Sequence, residues 1–288
     1  MWLKVLNDFF SIALELTILF VVISFLISLL QSFIPYDKMQ KYLSGKNLPL
    51  GVAAALVFAF ITPFCSCSTI PVVVNLLNKK VRFGVVMVFL FSSPVLDPTI
   101  ITLMGAILGI KVAVAYTVIT SVLSVIIGFV LERLGFESAV KNVVVTGYQE
   151  HQSKFSLKQA AKETLVLIKT VYPYLIIGAA IGSVIHGLVP TEWISRYLGG
   201  SEWWLVPIAA IIGIPLYIRL STMIPLSQIL IMKGMAIAPV MSLMISSAGA
   251  SLPEVTLLNS IFQRRLVVAF LISVFCMATL SGLLFYMI

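Results

Sequence analysis

The chain has 288 residues, of which 60% are hydrophobic and 10% charged, and its formal net charge is +8. A soluble domain carries about 25% charged residues, so this balance excludes an ordinary globular fold and requires apolar surface to face lipid. The positive charges fall between apolar runs, where they act as orientation signals in membrane loops rather than as a nucleic-acid surface.

Crossing the hydrocarbon takes about 20 apolar residues. Eight segments reach that length: 9–34, 50–77, 83–109, 111–132, 163–188, 204–232, 236–258 and 265–287. The first is too long for a signal-peptide core and has no small-residue cleavage site, so it is expected to be a retained transmembrane helix. The second is interrupted. Gly51–Ile61 and Thr69–Asn78 are each about half a span by helical rise. Between them stands Thr62-Pro63-Phe64-Cys65-Ser66-Cys67-Ser68, a helix breaker followed by small polar residues, with Pro71 just beyond. The third segment is broken at Ser92-Ser93-Pro94-Val95-Leu96-Asp97-Pro98. After the fourth comes the long polar stretch, which carries Arg133, Lys141, Lys154, Lys158 and Lys162. In the sixth segment, Pro215 and Pro225 bracket Leu216-Tyr217-Ile218-Arg219-Leu220-Ser221-Thr222. The seventh is broken at Ser246-Ser247-Ala248-Gly249-Ala250-Ser251-Leu252-Pro253-Glu254.

The polar stretch divides two similar halves. Lys41-Tyr42-Leu43-Ser44-Gly45 recurs 155 residues later as Arg196-Tyr197-Leu198-Gly199-Gly200. At an offset of 154, Pro71 matches Pro225, Ser92-Ser93 matches Ser246-Ser247, and Gly128 matches Gly282. Chance apolar similarity does not keep Pro, Gly and Ser-Ser in one register. The expected fold is an all-α integral membrane protein with a first transmembrane repeat at 1–132, a cytoplasmic linker at 133–162 and a second repeat at 163–288.

The charges bear on how the halves face. If all eight segments cross, basic residues divide ten to seven between the two sides, leaving out Lys169 and Arg219 inside segments. If the second segment of each half is a re-entrant hairpin, thirteen share the linker side and only Lys4, Lys111, Arg196 and Lys233 remain opposite. The second division is what the positive-inside rule expects. It makes the halves inverted, with the linker cytoplasmic and both termini outside, in a prokaryotic inner (plasma) membrane.

Irregular backbone at membrane depth is tolerated only where it is buried in protein or lines a wet cavity. Two hairpin tips and two broken helices meet that condition, so the candidate solute site lies among them. Cys65 and Cys67 stand one residue apart at a polar break, where two thiols can reach one soft ion or a trivalent arsenic centre. Residues so close in sequence fit disulfide geometry badly. The plain alternative is that membrane cysteines are small apolar fillers, and Cys276 is read that way. Asp97, Arg219 and Glu254 are ionisable groups inside apolar segments, where such groups are costly and functional or paired. Asp97 is otherwise a helix cap, and Glu254 a first-turn acid favoured by the helix dipole. Ser66, Ser68, Thr69, Ser92, Ser93, Ser221, Thr222, Ser246 and Ser247 supply hydroxyls at the same four places. Trp2, Trp193, Trp203 and Trp204 sit at segment ends, as interfacial aromatics do. No Walker A loop, H-E-x-x-H or G-x-S-x-G is present, so no enzyme is expected and no cofactor is required.

Phe64-Cys65-Ser66-Cys67-Ser68 with Pro71 and Ser92-Ser93-Pro94 resembles the ArsP-type, YraQ-like permease family. So do Gly213-Ile214-Pro215-Leu216-Tyr217 and Gly249-Ala250-Ser251-Leu252-Pro253-Glu254. The resemblance covers nearly the whole chain. It implies a multi-spanning secondary transporter that exports a thiophilic solute such as trivalent methylarsenite, with Cys65 and Cys67 as thiol contacts. Some family members are linked instead to metal ions, and a metal-cation permease would use Cys65, Cys67 and Asp97. Where metal-type relatives carry a cysteine in the second tip, this chain has Ile218-Arg219-Leu220-Ser221, which favours a neutral or anionic arsenical. A membrane-embedded thiol redox enzyme is the reading from another class. The expected partners are the bilayer and a small solute, with no nucleic acid; a homodimer stays open.

Overall fold

The computed structural model describes residues 48–61, 80–140, 202–215, 234–250 and 252–287, with shorter pieces between 69 and 77 and between 227 and 232, and the single helical residues Leu14 and Ile18. The expected segments 9–34 and 163–188, apart from those two residues, lie outside the described residues, as do linker positions 141–162. The described chain is all-helical. Its helices are α1 (Leu48–Ile61), α2 (Phe83–Ser92), α3 (Pro98–Ile107), α4 (Ile110–Arg133), α5 (Leu205–Gly213), α6 (Ile237–Gly249), α7 (Leu252–Ile261) and α8 (Arg264–Leu284). Short 3-10 turns follow α4 at Phe136–Ala139 and α8 at Phe285–Met287.

Side-chain pattern explains why α4 and α8 are membrane helices. Ile110, Val114, Val118, Val122, Ile126 and Val130 form an exposed β-branched stripe along α4, while Tyr116, Thr120, Ser124 and Gly128 face inward. Val268, Ile272, Leu280 and Leu284 do the same on α8, with Ser281 and Gly282 buried. The outside is therefore more apolar than the inside, the reverse of a water-soluble helix. Both stretches, Ile110–Arg133 and Arg264–Met287, are long enough to cross a bilayer. Cys276 lies on the exposed face of α8 rather than among packed neighbours.

Contacts fix the helix directions. The end of α4 meets the start of α8: the Gln263 amide donates to the Ala139 carbonyl at 2.9 Å, and Val140 bridges Phe262 in antiparallel fashion. Further along, the Ser124 hydroxyl stands 3.8 Å from the Met277 sulfur. Contacts step down α8 as they step up α4, so these two helices are antiparallel. In the second half, the Ser242 hydroxyl donates to the Val206 carbonyl at 3.0 Å, and Gly213 packs against Leu243 and Ser246. The contacts on α5 and α6 advance together, so α5 and α6 are parallel.

Glycines permit the closest approaches. A Cβ on Gly128 would stand 2.8 Å from the Gly84 carbonyl oxygen, and one on Gly282 would stand 2.9 Å from that of Ala238. Small residues let buried helices approach in this way.

Helix ends correspond as well. The Val81 amide donates to Leu76 and the Lys80 amide to Leu77; Met235 donates to Leu230 and Gly234 to Ile231, all at 2.9–3.0 Å. Both sets form the helix-terminating Schellman pattern, with Lys80 (φ 57°) and Gly234 (φ 97°) in the left-handed position.

The apolar core has two parts, and each draws on both ends of the chain. One joins α1 and α2 to α7 and the first half of α8; the other joins α5 and α6 to α3 and the first half of α4. Phe91 of α2, stacked on Phe270 of α8 at 4.9 Å between ring centroids, is one such link.

Candidate functional site

The irregular backbone at Ser93–Asp97 separates α2 from α3. Proline explains it: Pro94 has no N–H and its ring clashes with the carbonyl four residues back. The ends are capped locally. Ser92 Oγ donates to the Val88 carbonyl, and the Leu96 amide closes onto the Ser92 carbonyl at 2.8 Å. The Asp97 carbonyl accepts from the amides of Ile100 and Ile101 at 3.1 and 3.0 Å, so this residue occupies the cap of α3, with Pro98 in the first helical position. Tyr116 of α4 donates its hydroxyl to the Val95 carbonyl at 3.1 Å and is fully buried.

The second interruption is shorter. α6 ends at Gly249 and α7 starts at Leu252, with Ala250 turned out of helical geometry (φ −148°, ψ 67°). A Cβ on Gly249 would stand 3.1 Å from Val274 of α8. Ser246 and Ser247 donate to the carbonyls of Leu243 and Met244, each at 3.1 Å. Glu254 lies in the first turn of α7 and is buried. There its carboxylate sits where the helix dipole favours negative charge.

Of the candidate residues, the structure brings Thr69 and Ser93 together: their hydroxyl oxygens are 3.1 Å apart, and both residues are buried. Ser92, Ser93 and Asp97 share the first interruption, and Ser246, Ser247 and Glu254 the second. Pro94 and Gly249 are buried beside them, and Pro98 and Pro215 are half-buried. Pro253 is the second residue of α7. Pro63, Cys65, Ser66, Cys67, Ser68, Pro71, Arg219, Ser221, Thr222 and Pro225 lie outside the described residues. The residue that sequence reasoning missed is Tyr116. Its signal was a phenol in the middle of an apolar span, where a buried hydroxyl needs a partner.

Charge marks one end of the molecule. Arg82 donates from Nε to Glu132 at 2.7 Å and lies 5.5 Å over the Phe129 ring, joining the start of α2 to the end of α4. Glu132 Oε2 fills the space that a side chain on Gly84 would need. Arg133, Arg264 and Arg265 are exposed at this same end.

Helices with apolar exposed faces and buried hydroxyls, two of them long enough to span, define a helical membrane protein with interrupted helices inside. The chain belongs to the ArsP_1 family, described as predicted permease, whose profile matches residues 1–287. Its class is thus a membrane permease. It is 23% identical to the UPF0718 protein MJ0584 of Methanocaldococcus jannaschii, over 83% of either chain. It is 24% identical to the UPF0718 protein YraQ of Escherichia coli, over 83% of this chain and 68% of the relative. A Streptococcus mutans protein named as a candidate subunit of a two-component membrane permease complex is 23% identical over 66% of this chain and 65% of its own. No solved structure matches the chain significantly.

Proposed function

We propose that the protein is a secondary transporter that exports a thiophilic small solute, with trivalent methylarsenite the best-fitting example. The solute binds between the interrupted helices, its soft centre held by the thiols of Cys65 and Cys67. The single observation that carries this reading is the contact of Thr69 with Ser93. Thr69 directly follows the Cys65-Ser66-Cys67-Ser68 tip in the chain, so this contact ties the tip's end to the first interruption. Ser92, Ser93, Ser246 and Ser247 put hydroxyl oxygens at the two interruptions, each still able to accept a hydrogen bond from the solute. Asp97 and Glu254 are the carboxylates that would carry protons in exchange, and Arg219 supports an anionic form of the solute. Uptake of methylarsenite, arsenite, zinc and copper into everted vesicles tests this. Methylarsenite flux in the parent chain, reduced at least about tenfold by Cys65→Ser and by Cys67→Ser, is expected for a thiol contact. Zinc or copper flux in place of methylarsenite would instead identify a metal permease, and undiminished flux in both variants would remove the thiol mechanism.

The architecture that suits this function is an inverted duplication with the boundaries 1–132, 133–162 and 163–288. Several observations support it. α2, α3 and α4 begin 154 residues before α6, α7 and α8. The left-handed residues Lys80 and Gly234, and the close pairs Gly84–Gly128 and Ala238–Gly282, keep the same offset. Equivalent helices α4 and α8 are antiparallel and touch at Ser124 and Met277, positions whose equivalents, Ala278 and Leu123, are their own neighbours. A two-fold axis in the membrane plane produces that arrangement. Parallel α5 and α6 support a re-entrant second segment, because the chain between them must return to the side from which α5 set out.

A further inference from the structure

The end of the molecule away from Arg133 carries an open cleft of about 430 Å³ lined by Glu202, Trp203, Trp204 and Tyr286. Two elements build it. Glu202 to Trp204 form the turn before α5, and Tyr286 lies in the 3-10 turn after α8. The Tyr286 hydroxyl donates to the Glu202 backbone carbonyl at 3.0 Å, which fastens the turn to the end of α8. The aromatic residues stay accessible: Trp203 is 70%, Trp204 45% and Tyr286 40% exposed.

Depth follows from helix length. α8 has 21 residues, about 32 Å of rise, close to one hydrocarbon thickness. With Arg264 and Arg265 at one interface, the cleft stands at headgroup level in the other. Aromatic rings lining one cleft with an acidic residue match an organic ammonium: ring quadrupoles attract the cation and the carboxylate neutralises it. Simple interfacial anchoring by tryptophan needs no acidic residue in the same cleft. The two ends also differ in charge. Arg133, Arg264 and Arg265 are exposed at the far end, whereas the described charges at this end are Glu202 and Lys111.

We infer that this cleft binds the ammonium group of a zwitterionic phospholipid headgroup, ethanolamine or choline, in the leaflet opposite the linker end. An anionic headgroup without an ammonium meets the Glu202 carboxylate and is disfavoured there, while the arginines at the other end retain it.

Native mass spectrometry of the full chain, with phosphatidylethanolamine and phosphatidylglycerol of identical acyl chains added, tests the inference without reference to transport. Glu202→Gln and Trp203→Ala are expected to reduce ethanolamine-lipid adducts by about threefold or more without lowering phosphatidylglycerol adducts, which also reports an intact fold. Trp203→Phe keeps an aromatic face and should retain most of the binding. Equal loss of both lipids, or no loss, would overturn the assignment. Lipid-free protein that binds choline as well as it retains the ethanolamine lipid would reassign the cleft to a soluble cation and also overturn it.

Discussion

Tyr116 shows what a single residue contributes to an interrupted helix. Pro94 frees backbone groups inside the protein, and a freed carbonyl without a donor is expensive at that depth. The Tyr116 hydroxyl takes the Val95 carbonyl, so Tyr116→Phe leaves a buried acceptor unpaired. A loss of about 1–2 kcal/mol is expected, read as a lowered thermal midpoint of the purified chain, and an unchanged midpoint would mean the carbonyl finds another donor. The equivalent position in the second half is Phe270, whose ring stacks on Phe91. The interruptions themselves were legible, because Pro94 and the Gly249–Pro253 stretch act through local chemistry. The partner of Val95 was not, because it is contributed from 21 residues away and depends on how α4 lies against the break.

At the scale of elements, matched helix ends offer a comparison between halves. Lys80 and Gly234 hold the same left-handed position with the same hydrogen bonds. A side chain there costs about 1 kcal/mol, and glycine avoids that cost. Lys80→Gly should therefore raise stability by about 1 kcal/mol, and Gly234→Ala should lower it by a similar amount. Thermal melts of the two variants check the opposite signs; shifts of the same sign would contradict the equivalence of these turns. The extents of α4 and α8 were legible because apolar runs and breakers are local signals. Whether 50–77 and 204–232 cross was not, since both a span and a hairpin satisfy their composition. Direction emerges only from pairs such as Val206 with Ser242 and Gly213 with Ser246.

At the scale of the whole molecule, the meeting of Ala139 with Gln263 puts the end of α4 and the start of α8 on one side. Cysteines introduced at Ser138 and Gln263, in a chain whose Cys65, Cys67 and Cys276 are serine, should react with an impermeant reagent from the same side. A cysteine at Lys4 should react from the other. Reaction at 4 and 138 from one side, with 263 opposite, is the pattern of eight plain crossings and would refute the inverted arrangement. The Arg82–Glu132 pair has a further consequence. Its equivalents are Ala236 and Tyr286, which form no ion pair. The pair, worth up to about 1 kcal/mol where it is partly exposed, clamps α2 to α4 at the arginine-bearing end. Any motion that parts these two helices there is held back by that much, and salt weakens the hold.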